Sequence, residues 1–180
     1  LAAYRGWRTG LPPQWYPTHS NAYYTGVTGS SFTEVSCMGV PSVLEHLQPK
    51  NNGYNNPFGT EIALFRTSEG GMARMAVSWD TPGESGECGR IRTRQGTFYG
   101  EFKSGHEEGV TSELRRPPLP PGIDAGGHGG SHGYLMSEFV EAILMERTPL
   151  VDVAQALNMT VSGIVAHESA LKDGELLKIP

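Results

Sequence analysis

The sequence predicts an α+β fold, a largely antiparallel open β-sheet with helices packed on one of its faces. Two patterns carry that reading. In the middle of the chain, segments with a period of two are separated by glycine turns. Over residues 72–80, for example, Met75, Val77 and Trp79 alternate with Arg74, Ala76 and Ser78. The C-terminal third instead holds two segments with apolar residues at helical spacing. A third observation is negative: no strand–G-x-G-x-x-G–helix unit occurs, so a dinucleotide-binding fold lies outside these 180 residues. With 37% hydrophobic residues this length can fill one core, and residues 1–180 are read as a single domain.

Residues 1–15 form an irregular lead-in, because Gly6, Gly10 and Pro12-Pro13 interrupt it too often for a regular element. A first helix is expected from Thr18 to about Thr25, capped by Thr18 or Ser20 and ended by Gly26 or Gly29. Residues 31–40 read as a strand stopped by Pro41, and 42–47 as a short helical turn. The loop over 48–57 carries Asn51, Asn52, Asn55 and Asn56, and either reaches over a ligand or only connects. Strands at 60–67 and 72–80 flank the hairpin turn Ser68-Glu69-Gly70-Gly71. A strand over 87–95 sets Arg90, Arg92 and Arg94 on one face, read as a solvated or interface row rather than a phosphate patch. A short strand at 97–99 is followed by a polar, then proline-rich, surface loop over 103–121.

Two helices follow. The first, over 131–145, turns Leu135, Met136, Phe139, Val140, Ile143 and Leu144 to one side. The second starts at Asp152, which forms a capping-box pattern with Gln155. It is expected to carry Val153, Ala156, Leu157, Val161, Ile164 and Val165 inward and to end near Gly174. His167, at the edge of that stripe, reads as a packing residue. A short strand over 175–179 closes the chain.

Composition excludes several functions. A net charge of −5 argues against a nucleic-acid surface, which needs clustered Lys and Arg. No apolar run approaches the ~20 residues of a membrane span. Cys37 and Cys88 lack C-x-x-C spacing, so they define neither a disulfide framework nor a zinc site; they are reduced residues or one bridge. The chain begins Leu1-Ala2-Ala3 without methionine and is expected to be a piece of a longer protein. Its compartment is left open, cytoplasmic or exported.

The chemistry concentrates in Trp15-Tyr16-Pro17-Thr18-His19-Ser20. Pro17 fixes its own φ and pushes Tyr16 toward an extended conformation, which sets phenol and imidazole at a helix entry. Such a pair can move a proton, since histidine titrates near neutral pH and either ring can donate or accept. The plainer alternative makes Trp15 and Tyr16 core aromatics and His19 a cap. Arg8, beside Trp7, lines an anion or sugar site or belongs to a solvated loop. A second loaded stretch, residues 126–133, sets His128 and His132 four apart among glycines. No matching carboxylate or cysteine spacing accompanies them, so no metal site is expected.

Several segments occur in a telling order: Trp15-Tyr16-Pro17-Thr18-His19-Ser20, Thr33-Glu34-Val35-Ser36-Cys37, Asn55-Asn56-Pro57-Phe58, and residues 126–132 ahead of a helix. Thr148-Pro149-Leu150-Val151-Asp152-Val153 and the tail from His167 to Pro180 complete the set. Together they resemble the C-terminal, substrate-side domain of the glucose–fructose oxidoreductase/inositol dehydrogenase (Gfo/Idh/MocA) family. The resemblance covers nearly the whole chain. It implies a bacterial oxidoreductase acting on a sugar or polyol hydroxyl. NAD or NADP would be bound mainly by an upstream Rossmann domain, which also carries a lysine in a Glu-Lys-Pro motif. It further implies homo-oligomers formed through the sheet face. Tyr16 and His19 become the catalytic pair, and Arg8, Trp15, His128 and His132 the substrate contacts. Many dehydrogenases of the family have an aspartate ahead of the histidine where this chain has Tyr16. That feature is similar to the family's NAD-dependent glycosidases, which implies a redox-neutral glycosidase or lyase as the second reading. A non-catalytic assembly domain of the same fold is the third.

Overall fold

The computed structural model describes residues 6–81, 88–94, 96–99, 102–105, 118–127 and 130–180. In chain order its elements are helix α1 (Ala22–Thr28) and strands β1 (Phe32–Pro41), β2 (Phe58–Thr67), β3 (Met72–Ser78), β4 (Arg90–Arg92), β5 (Gly96–Tyr99) and β6 (Phe102–Gly105). Helices α2 (Ser131–Leu144) and α3 (Val153–Ala170) and strand β7 (Leu177–Lys178) follow. They fall into two units, one formed by residues 1–87 with 153–180 and the other by residues 88–152.

In the first unit, an antiparallel sheet of order β3-β2-β1-β7 is covered by α3. The β2–β3 hairpin turns where expected: Gly70 takes φ +79°, and the Gly71 N–H donates to Thr67 Oγ1 at 2.9 Å. The register of β1 against β2 shifts between Phe32 and Glu34. This irregularity lets Phe32, Val35 and Cys37 all face inward, although strict alternation would turn Phe32 outward. They pack with Ala63 and Phe65 of β2 and with Val165, Ala166 and Ala170 of α3, around a Phe32–Phe65 ring pair at 4.4 Å. Because β7 pairs only with Glu34 and Val35, the Cys37 N–H finds no strand partner there and donates to Ser169 Oγ of α3 at 2.9 Å.

Several expectations for this unit are corrected. Pro13 and Pro17 each open a one-turn 3-10 helix, Pro13–Trp15 and Pro17–His19, so α1 begins at Ala22 rather than Thr18. Tyr16, between them, has φ −111° and ψ 54°, a turn geometry rather than an extended one. Neither Thr18 nor Ser20 stands at the N-cap. That position is Asn21, whose amide instead donates to Ser162 Oγ (2.8 Å) and the Met159 carbonyl (3.3 Å) of α3. The helix ends on Gly29, as one of the two expected stops.

The buried face of α3 is also not the expected one. Val161 and Val165 point to the core, but Val153, Leu157 and Ile164 are exposed. The buried side is made of Ser162, Gly163, Val165, Ala166, His167, Ser169 and Ala170. The reason is close approach: a Cβ at Gly163 would lie 2.2 Å from the Gln14 carbonyl oxygen. No side chain can be used at that position.

In the second unit β4, β5 and β6 form an antiparallel meander. Strand β6 replaces the first residues of the loop expected over 103–121. The arginine row is shorter than expected, because Thr93 closes a turn on Gly96 (N–H to carbonyl, 2.9 Å) and leaves Arg94 beyond the strand. Arg90 and Arg92 therefore belong to this small sheet and not to the four-stranded one. Helix α2 starts after Gly130, at φ +90°. Its apolar stripe has the expected spacing, yet only Ala142 is buried among the described residues of the helix. Arg147 grips Glu138 with both terminal nitrogens (2.7 and 2.9 Å), and the Leu150 N–H adds a third bond, which together hold the Glu138 carboxyl down at about 2.

Both cysteines are free, Cys37 buried and Cys88 exposed. Burial, and secondarily the charge of Glu61, pushes the Cys37 thiol up to about 12. The folded thiol thus holds its proton more tightly than the unfolded one. Its contribution is intact below an ordinary thiol pKa of about 8.5 and is lost as pH rises toward 12. Iodoacetamide at pH 8 should label Cys88 and spare Cys37 until the protein is unfolded, which peptide mass mapping would read directly.

Candidate active site

The two proline-led turns present their side chains on a rigid base. Trp79 donates its indole N–H to the Leu11 carbonyl at 2.8 Å and sets its ring edge-on to Tyr16 at 5.6 Å. Pro17 packs beside Gly163 of α3. On this base the Tyr16 and His19 rings stack at 4.2 Å with planes 12° apart. The Arg8 guanidinium carbon lies 4.9 Å from the Tyr16 ring centre and 5.0 Å from that of Trp7. Trp7, Arg8, Tyr16 and His19 thus form a continuous arrangement, with Trp7 and Arg8 exposed and Tyr16 and His19 half-buried. A phenol hydroxyl, an imidazole and a guanidinium beside aromatic faces are suited to a polyhydroxylated ring. They offer donors and acceptors for hydroxyls and flat surfaces for C–H faces.

Trp15 faces a different neighbour. Its ring meets His167 of α3 edge-on at 5.5 Å and Tyr54 at 6.2 Å. Tyr54 belongs to the asparagine-rich loop and donates its hydroxyl to the Trp7 carbonyl at 2.7 Å. The asparagines Asn52 and Asn56 stitch that loop together. Asn52 donates to the Leu47, Gln48 and Asn56 carbonyls, and Asn56 to those of Gly10 and Phe58. The loop therefore ties the lead-in to the sheet.

Arg8, Tyr16 and His19 come together, while Trp15, on the preceding turn, faces His167 and Tyr54. His132 stands in the first turn of α2, in the second unit, with its ring beside Gly126 and Gly127. His128 lies outside the described residues. Among the described residues no group of three or more His, Cys, Asp or Glu side chains could hold a metal ion. No described helix is long and apolar enough to cross a membrane. An open groove of about 670 Å³ lies at the Glu34–Arg66 end of the sheet, with Thr33, Met72 and Lys178 in its lining. It is lined by none of the Tyr16–His19 cluster.

Sequence reasoning missed the groups beneath the turn. Glu61 of β2 is fully buried, and its Oε1 lies 2.6 Å from His167 Nδ1. Its Oε2 accepts the Gln14 N–H at 2.8 Å. His167 packs as expected, against Trp15 and Phe58, and it also pairs with Glu61. A signal was present: Glu61 shares strand parity with Ala63 and Phe65, and a carboxylate on an inward row demands a partner.

No family model matches the sequence, and no curated protein matches it by sequence. The likenesses are to solved structures. The scyllo-inositol dehydrogenase of Lactobacillus casei, with bound NAD(H) and scyllo-inositol, is 14% identical with a TM-score of 0.54, over 86% of this chain and 44% of that one. An oxidoreductase domain protein of Kribbella flavida is 15% identical with a TM-score of 0.59, over 87% and 48%. A levoglucosan dehydrogenase in complex with NADH is 17% identical with a TM-score of 0.57, over 83% and 45%. These are oxidoreductases of the Gfo/Idh/MocA type, and the α+β fold of this chain is like that of a part of them. The chain spans a little under half the length of each. At such identities the likeness is one of fold.

Proposed function

We infer that this chain is the substrate-side domain of an NAD(P)-dependent oxidoreductase acting on a sugar or polyol hydroxyl. The observation that carries the reading is the Tyr16–His19 ring stack, flanked by Arg8, on an anchored turn in a fold shared with dehydrogenases. The nicotinamide, held mainly by a further domain, supplies the hydride acceptor. His19 takes the hydroxyl proton as the C–H bond breaks, because an alcohol cannot pass a hydride and keep its proton. Tyr16 shares the same oxygen or steers the imidazole, and its face fixes the ring plane. Arg8 and Trp15 bind the sugar body. Reduction of cofactor by the intact protein, assayed across a panel of sugars and polyols, tests this reading; a panel without any reduction would count against it.

Tyr16, in place of an aspartate, supports a second reading as a redox-neutral glycosidase or lyase. There the transient ketone acidifies the neighbouring C–H and the leaving group is eliminated. Solvent deuterium would then enter the product with no net NADH formed.

The open face of the four-stranded sheet should mediate self-association. Met38, Val40, Ile62 and Leu64 are each 42–59% exposed there, and Met38 and Ile62 lie opposite one another. An Ile62→Glu variant of the intact protein should shift to a smaller species in light scattering. An unchanged mass would remove this face from the interface.

A further inference from the structure

We propose that Glu61 and His167 are a positioning pair whose function is to hold the Tyr16–His19 turn in its working geometry. The proposal extends the assignment of His19 as proton acceptor, although its test does not depend on turnover. Glu61 has no exposed surface and His167 is 6% exposed, 106 residues away in sequence. A buried carboxylate costs several kcal/mol unless it is paired and its remaining lone pairs are satisfied. Here each carboxylate oxygen has one hydrogen-bond partner. With the Gln14 N–H already on Oε2, the imidazole Nδ1 donates its proton to Oε1, which fixes the tautomer and the ring plane.

That geometry is passed to the turn by two routes. Through Glu61, the carboxylate holds the backbone of Gln14, and the Gln14 amide in turn bridges the carbonyls of Glu61 (3.3 Å) and Met75 (3.2 Å) on neighbouring strands. Through His167, the fixed ring meets Trp15 at 5.5 Å, with Phe58 behind it at 6.2 Å. Gln14 and Trp15 directly precede Tyr16. A buried polar pair adds little net stability over apolar residues of equal volume, so what this one contributes is direction. Sheet and α3 are thereby tied to the residues that lead into the stack, by hydrogen bonds at Gln14 and a ring contact at Trp15.

The test is histidine and tryptophan NMR on the intact protein, with melting temperatures measured in parallel. His167→Phe keeps a ring against Trp15 but removes the donor, and Glu61→Gln keeps the shape but removes the charge. His167→Asn places an amide N–H near the position of Nδ1. The wild type should show a Tyr16–His19 ring-to-ring NOE. His167→Phe should lose it and shift the Trp15 indole N–H signal, Glu61→Gln should weaken it, and His167→Asn, which returns the donor but not the ring against Trp15, should recover part of it. Folded His167→Phe and Glu61→Gln proteins with the NOE and indole signal unchanged would overturn the proposal. Equal loss in His167→Phe and His167→Asn would also overturn it, since the bond would then not be the cause. If His167→Phe does not fold, Glu61→Gln and His167→Asn decide by the same signals. Wild-type kinetics in His19→Ala would defeat the assigned chemistry and leave this readout untouched, so the two failures are distinguishable.

Discussion

Replacing His19 with alanine in the intact protein should lower kcat by about 10²–10⁴ on the true substrate, with little change in cofactor affinity. That range corresponds to about 3–5 kcal/mol of transition-state stabilisation, the usual scale for one lost acid–base group. The effect should fall on kcat rather than KM, because a proton acceptor acts only as the C–H bond breaks. Tyr16→Phe should cost less: the ring still stacks on His19 at 4.2 Å and beneath Arg8, and only the hydroxyl is gone. Steady-state kinetics of the two variants separate the roles. Wild-type turnover in His19→Ala would reduce His19 to a turn residue.

The second large effect is expected at Gly163, far from it in sequence but directly beneath the turn. An added Cβ would stand 2.2 Å from the Gln14 carbonyl oxygen and 3.3 Å from Pro17 Cβ. The first of these is a backbone atom in a fully buried residue, so no side chain can swing away. Gly163→Val should destabilise the protein by about 3 kcal/mol or more, at the upper end of overpacking costs. At this chain length that lowers the melting temperature by roughly 6–12 °C. It should also displace Gln14, hence Tyr16 and His19, and depress activity even in the fraction that folds. Gly26 in α1 is the control. Nothing lies within 4 Å of its added Cβ, so Gly26→Ala should gain stability by up to about 1 kcal/mol. Calorimetry on both variants checks the contrast.

Much of this arrangement was legible in the sequence, and the failures have physical causes. The hairpin over Ser68–Gly71, the alternation in β3 and the start of α3 after Asp152 all follow from local rules. The inward parity of β2 was legible too, and with it the burial of Glu61. Its partner was not, because His167 and Glu61 meet only when α3 folds back over the sheet. The buried face of α3 was misread for a related reason. Apolar periodicity finds bulky residues, whereas this helix approaches its neighbours on the small residues Ser162, Gly163, Ala166 and Ser169. At Tyr16 and His19, proximity was foreseen from a proline and a short spacing. The parallel stack needed the two 3-10 turns and the edge of Trp79, which lies 60 residues further on. His132 and His128 illustrate a different limit. Their glycine-rich setting marks chemistry but fixes no direction, and His132 is found in the second unit.

In the proposed function, hydride leaves a carbon of the substrate for a nicotinamide while His19 takes the hydroxyl proton. Deuterium placed on the carbinol carbons of a sugar or polyol follows that atom directly. With the intact protein and oxidised cofactor, label should appear at C4 of the nicotinamide during turnover. In the oxidoreductase version it accumulates as deuterated NADH. In the redox-neutral version it appears transiently and returns to the product. A substrate that is turned over while the nicotinamide stays unlabelled throughout would contradict the account.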